Sequence, residues 1–102
     1  YKGFAETCKM IYDKFKDYDS VYLTVDIGVL DPAFAPGVGA PISGGLTSRE
    51  LIEYIRYVMK NLPIMNMDIV EMAPTLDSNN VTSWAVMRII EEAFSIIDKK
   101  VE

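Results

Sequence analysis

The sequence predicts an α/β fold with a parallel sheet. Three observations lead there: helical and extended hydrophobic periods alternate along the chain, a short β-branched run ends on an acid, and a proline- and glycine-rich stretch separates that run from a capped helix. The resulting order is helix, strand, helix, strand, helix, which implies parallel strands joined by right-handed crossovers.

Each element follows from local chemistry. Phe4, Cys8, Ile11, Phe15 and Tyr18 recur at spacings of three and four, so they share one face of a first helix, with Lys9, Asp13, Lys14 and Asp17 outward. Val21 to Val25 is rich in β-branched and aromatic residues and is expected to be a largely buried strand that stops at Asp26. The stretch Ile27 to Leu46 is too dense in proline and glycine to continue a strand or form a long helix. Structureless connections of this length are uncommon in compact domains and tend to be functional. Thr47-Ser48-Arg49-Glu50 is a capping box, and Leu51, Ile52, Ile55, Val58, Met59 and Leu62 give the second helix its apolar face until Pro63 ends it. A second strand is expected from Ile64 to Met72, with Met65, Met67, Ile69 and Glu71 on one side and Asn66, Asp68, Val70 and Met72 on the other. Asn79-Asn80 would cap a third helix through Trp84, Ile89, Ile90, Phe94 and Ile97, with Lys99 and Lys100 near its negative end. Two strands leave a parallel sheet incompletely covered, so the piece is expected to be a fragment or to be completed by another chain.

Composition narrows the function. Half the residues are hydrophobic and a quarter are charged, the balance of a globular protein. A net charge of −5 without a Lys/Arg cluster argues against a nucleic-acid partner. The single cysteine, Cys8, cannot close an intrachain disulfide and fits a reducing, cytoplasmic location; on its apolar stripe it reads as a small buried hydrophobe. No apolar stretch approaches the roughly 20 residues that span a bilayer and no signal peptide opens the chain, so no membrane role is expected. There is no histidine, so a site built from this chain alone must use carboxylates.

In open α/β sheets ligands bind beyond the carboxyl ends of the strands. That rule selects Asp26, at the end of the first strand, and Glu71, near the end of the second. Two carboxylates on one rim call for a metal, a cationic ligand or a proton. Alternatively, Asp26 only accepts hydrogen bonds from its loop and Glu71 pairs with a surface lysine. Topology alone leaves both readings open.

The run Thr24-Val25-Asp26-Ile27, then Leu30-Asp31-Pro32-Ala33-Phe34-Ala35-Pro36-Gly37, Gly39, Pro41 and Gly44-Gly45-Leu46 resembles the metal- and substrate-binding loop of the ureohydrolase (arginase/agmatinase) family. Its wording from Asp31 to Gly37 is more like agmatinases than arginases. Asp68-Ile69-Val70-Glu71-Met72-Ala73-Pro74 is similar to the family's second-strand segment. The resemblance implies that residues 1–102 are the C-terminal part of a ureohydrolase domain, a three-layer α/β/α sandwich with a parallel sheet. It implies hydrolysis of a guanidino compound, agmatine above all, to urea and an amine, the step that serves polyamine biosynthesis. The cofactor implied is a pair of manganese ions sharing a hydroxide, the metals lowering the pKa of bound water. Asp26 matches the family's bridging ligand and Glu71 the glutamate that salt-bridges the substrate guanidinium. A homo-oligomer is implied as well.

Two departures weaken the activity rather than the family. Gly28 stands where the family has a second aspartate, so that ligand is lost. The histidine and aspartate motifs that supply the other ligands lie on an N-terminal portion that this sequence does not contain. The chain alone is therefore expected to be inactive, and a catalytically inactive homologue or interaction module is the alternative reading. A different metal hydrolase on the same fold, such as a deacetylase, is a third, against which Glu71 speaks. Trp84 and the methionines are expected in the core, and Arg49 and Arg88 on the helix surface.

Overall fold

The computed structural model describes residues 3–101. Phe4 and Cys8 lie on α1 (Phe4–Phe15), of which only Cys8 is buried; the ring of Phe4 meets that of Tyr54 on the next helix at 4.8 Å between centroids. The helix ends before Tyr18, which is exposed rather than part of the apolar face. Burial also raises the Cys8 thiol above its ordinary pKa, as expected for an inert, apolar-packed cysteine.

Strands β1 (Val21–Asp26) and β2 (Ile64–Val70) pair in parallel, with Asp26 opposite Val70. Between them runs α2 (Ser48–Asn61). Both halves of its capping box form: Thr47 Oγ1 accepts the Glu50 N–H at 3.1 Å and Glu50 Oε1 accepts the Thr47 N–H at 2.9 Å. Pro63, which cannot donate, ends the helix, and its carbonyl accepts the Val21 N–H at 2.9 Å where the sheet begins. Helices α3 (Val81–Val101) and α1 both pack on α2. Val25 and Ile27 join Ile52, Ile55 and Met59 of α2 and Ile89, Ala93 and Ile96 of α3 in one core cluster. Each valine, isoleucine or methionine among them, fully buried, contributes roughly 1.5–3 kcal/mol.

Between α2 and α3 one nearly buried carboxylate serves two arginines. Glu92 accepts from Arg56 Nε at 2.9 Å and Nη2 at 2.8 Å, and it pairs with Arg88 Nη2 at 2.7 Å. The Arg56 hydrogen bonds lead in holding the Glu92 carboxyl below its ordinary pKa. Arg88 and Arg49 are surface residues as expected, though Arg88 also belongs to this ion cluster.

Four expectations need correction. First, β1 is not buried on both faces. Leu23 and Val25 meet the core, whereas Tyr22 and Thr24 are exposed and both donate to Asp68, at 2.6 and 2.5 Å. Second, the register slips between Val21 and Tyr22, which puts an extra residue in β2 and leaves Met65 67% exposed instead of aligned with Met67 and Ile69. Third, the strand ends at Val70, because Glu71 takes a left-handed φ of 71°. Strict alternation would send Glu71 inward with Met67 and Ile69; the turn reverses this, so that Glu71 is exposed and Met72 packs on the core. Fourth, the inward face of α3 carries Thr82, Ile89, Ala93 and Ile96, while Trp84, Phe94 and Met87 are exposed. Of the methionines, Met59 is a core residue; Met10, Met65 and Met87 are exposed.

Candidate functional site

The carboxyl ends of β1 and β2 form one rim, because the strands are parallel and in register to their last pair. After Asp26 the chain turns through one 3-10 turn, Ile27–Val29, that buries Ile27. Asp26 caps that turn: its Oδ1 accepts the Gly28 N–H at 2.8 Å. The side chain remains exposed, and among the described residues no hydrogen bond or ion pair engages its second oxygen.

The long loop is folded rather than loose. Leu30 bridges Leu46; the Leu46 N–H reaches the Val29 carbonyl at 2.9 Å and the Asp31 N–H reaches the Leu46 carbonyl at 2.8 Å. Asp31 staples the interior with Oδ1 accepting from Ala33 N–H and Oδ2 from Gly44 N–H, both at 2.9 Å. Those backbone donors lower its pKa, Ala33 first and Gly44 second. Gly45 permits the closure: a Cβ there would lie 2.6 Å from the Asp31 nitrogen and 2.7 Å from the Val29 carbonyl oxygen.

The far end of the loop meets β2's end. Val38 bridges Met72, and the Gly37 carbonyl accepts the Ala73 N–H at 2.7 Å. The Gly37 N–H donates to Thr82 Oγ1 at 2.7 Å in a fully buried setting, where a Cβ on Gly37 would strike Asp77 at 2.9 Å. Asp77, not Asn79 or Asn80, supplies the side-chain cap of α3. It accepts from Ser78 N–H, Thr82 N–H and Ser83 N–H, while Asn79 and Asn80 take left-handed φ of 52° and 61°. Partial burial works to raise the Asp77 pKa, but the hydrogen bonds from Thr82, Ser83 and Ser78 outweigh it and hold the carboxyl at about 2.

Both acids that sequence reasoning selected therefore lie at the same strand-end rim, Asp26 on one strand and Glu71 one residue past the other. Among the described residues no ion pair or hydrogen bond engages the Glu71 carboxylate, so the surface-lysine pairing does not form. Gly28 is exposed beside Asp26 and contributes only its N–H. Asp31, Asp77 and Thr82, which fix the loop around these acids, were not singled out. A short acid or hydroxyl two to six residues before the amides it binds is the local signal that finds Asp31 and Asp77; Thr82 has none, since its partner is 45 residues away. Among the described residues, no three His, Cys, Asp or Glu side chains converge in a way that could hold a metal ion.

Comparison with known proteins gives a consistent picture. Residues 1–95 match the model of the Arginase family. An agmatinase of Escherichia coli O9:H4 is 49% identical over 77 residues, which is 76% of this chain and 25% of that protein. Among solved structures, formimidoylglutamase of Bacillus subtilis superposes with a TM-score of 0.87 at 35% identity, over 95% of this chain and 31% of that one. A hypothetical agmatinase of Burkholderia thailandensis gives 0.84 at 31% identity, over 96% and 31%, and proclavaminate amidino hydrolase of Streptomyces clavuligerus gives 0.82 at 38%, over 90% and 30%. The chain thus spans about a quarter to a third of the length of the relatives it matches.

Proposed function

The chain belongs to the arginase family and carries part of its α/β fold, and from that premise we propose that it is the C-terminal part of a guanidino-compound hydrolase, with agmatine as substrate. The observation that carries the reading is the pair of rim acids: Asp26 held by its own loop and Glu71 presented without a partner. A planar guanidinium is well matched by an ionised carboxylate, which can accept two parallel N–H donors. Glu71 is the residue assigned to that contact. Its role is to bind and orient the substrate, keeping the guanidinium charged and its carbon at a fixed place on the rim. Asp26 is assigned as a bridging metal ligand, its free oxygen and its position at the strand end being what such a role needs.

Manganese is the metal proposed, and two ions sharing a hydroxide would supply the nucleophile when bound. The residues of this chain do not by themselves fit that pair. The carboxylate of Asp26 is one ligand, Gly28 offers no ligand atom from a side chain, and among the described residues no group of three acids, histidines or cysteines comes together to hold a metal. The polypeptide alone is accordingly inactive in this proposal. The two open edges of the sheet, the uncovered face with Tyr22 and Thr24, and the exposed Trp84 and Phe94 on α3 support a larger sheet around it. The proposed whole is a cytoplasmic homo-oligomer in polyamine biosynthesis. Gly28 favours one second reading, a homologue that has lost its metal centre and keeps the fold as an interaction module.

Urea release from agmatine decides between them. The complete protein with manganese is expected to release urea from agmatine faster than from arginine, and residues 1–102 alone to release none. Absence of urea from any guanidino compound by the metal-saturated complete protein would overturn the enzymatic reading. Release by the isolated chain would overturn its assigned incompleteness.

A further inference from the structure

We infer that Thr82 is a positioning residue for Glu71, acting through Gly37 to hold the end of β2 in the one backbone conformation that presents the Glu71 carboxylate at the rim. The inference rests on the reading that Glu71 receives a guanidinium.

The starting point is the backbone of Glu71. A φ of 71° is unfavourable in a residue with a Cβ, and such conformations persist only where the surroundings over-determine them. Both flanks of Glu71 are fixed. On one side Val70 is paired with Asp26. On the other, Met72 bridges Val38 and the Ala73 N–H donates to the Gly37 carbonyl at 2.7 Å. The second anchor is only as firm as Gly37, which no regular element contains. Its N–H is buried and has Thr82 Oγ1 as acceptor, at 2.7 Å.

Thr82 is itself held on several sides. It has no exposed surface, it sits in the first turn of α3, and its own N–H donates to Asp77 at 3.0 Å. A hydrogen-bonded relay therefore runs from the start of α3 through Gly37 to Ala73, two residues beyond Glu71. Removing the hydroxyl leaves the Gly37 N–H without an acceptor in a dry site, so the loop must shift or admit water. Either response loosens the anchor at Ala73 and lets Glu71 relax toward an ordinary extended φ. Relaxation would restore strand alternation and turn the carboxylate off the rim, toward the side of Met67 and Ile69.

The test uses the complete protein with manganese and agmatine. Thr82→Val keeps the shape and removes the hydroxyl, which accepts from the Gly37 N–H and also bonds the Asp77 carboxylate; Thr82→Ser keeps the hydroxyl. Thr82→Val is expected to raise KM for agmatine, and the inhibition constant for guanidine, by about tenfold or more, since misplacement by an ångström is costly in oriented sites. Thr82→Ser should restore both to within about threefold. A purely structural hydroxyl would lower the melting temperature and the active fraction and leave KM and guanidine inhibition unchanged in the folded protein; that result overturns the inference. If Thr82→Val does not fold, Thr82→Cys, similar in volume and weak as an acceptor, is judged by the same criterion. Glu71→Gln separates the two levels: if it leaves KM and guanidine inhibition unmoved, the reading of Glu71 itself is wrong, whereas a large Glu71→Gln effect with a silent Thr82→Val condemns only the relay.

Discussion

At the end of β1 the backbone turns through ordinary dihedrals, Asp26 having φ −86° and ψ 110°, and the chain ties one oxygen of the carboxylate to its own Gly28 N–H. At the end of β2 the backbone departs from the ordinary, with Glu71 at φ 71°, and among the described residues its carboxylate has no partner. Both acids lie at the same rim. The first strand end keeps its backbone relaxed by committing part of its side chain; the second frees its side chain by straining its backbone. Their supports differ in the same way. Asp31 and the close packing at Gly45 hold the β1 side from within the loop, whereas the β2 side is held from α3, through Thr82 and Asp77. A local device suffices for an anchored carboxylate. Presenting an unpaired one takes tertiary structure.

The sharpest break in this comparison comes from two substitutions at Glu71 in the complete protein. Glu71→Gln and Glu71→Gly both remove the negative charge, and each is expected to lower kcat/KM for agmatine about 100-fold or more, the scale of losing one partner of a desolvated charge pair. Their stabilities should differ. Glycine tolerates a positive φ and glutamine does not, so Glu71→Gly should unfold at higher urea than Glu71→Gln, by up to about 1 kcal/mol after the extra entropy of glycine is counted. Equal midpoints would mean that β2's end stores no strain and that the two strand ends are alike.

Acid titration probes the support on the α3 side. The Asp77 carboxyl lies at about 2 in the folded protein against an ordinary 3.8, so the unfolded chain binds the proton first as pH falls. The stability it contributes is complete above about pH 4, declines between about 4 and 2, and is gone below. Asp77→Asn should therefore be less stable than the parent at neutral pH, with the gap closing through that window. Urea midpoints measured from pH 7 to pH 2 would show it; a constant gap would mean that the charge of Asp77 is not what holds the cap. Hydrogen exchange adds the comparison, since the Ala73 amide should speed up in this variant while the Gly28 amide does not. Asp31, also lowered, by Ala33 and Gly44, should yield the opposite pattern when it is neutralised.

The five elements were legible because each rests on local rules: a period of three and four in α1 and α2, β-branching in β1, the Thr47 to Glu50 box and the stop at Pro63. The rim position of Asp26 and Glu71 followed from parallel order, and their assigned roles from family resemblance. What escaped depends on distant partners. The left-handed turn at Glu71 is maintained by residues 37 and 38, and no property of the β2 segment announces it. Asn79-Asn80 looks like a better cap than Asp77, yet both asparagines carry the turn itself and Asp77 reaches forward over them. On α3 two apolar stripes run side by side, and periodicity cannot tell which one, that of Ile89 and Ala93 or that of Trp84 and Phe94, turns inward.

Gly28→Asp tests the remaining asymmetry, the economy of β1's end, with the smallest effect on the fold. A Cβ at Gly28 would lie 3.0 Å from Asp26 Oδ1 and 3.8 Å from its Cγ, so the obstacle is a side chain that can rotate and no backbone atom. The swing would cost Asp26 its bond to the Gly28 N–H and bring two carboxylates together, which is unfavourable until a cation sits between them. Without metal, the variant should be less stable than the parent by about 0.5–1 kcal/mol. With manganese the order should reverse in the complete protein, and elemental analysis should find more manganese per subunit than in the parent. Unchanged metal content would mean that Gly28 is not the missing donor position, and that the single carboxylate at Asp26 is the whole of what this strand end was meant to supply.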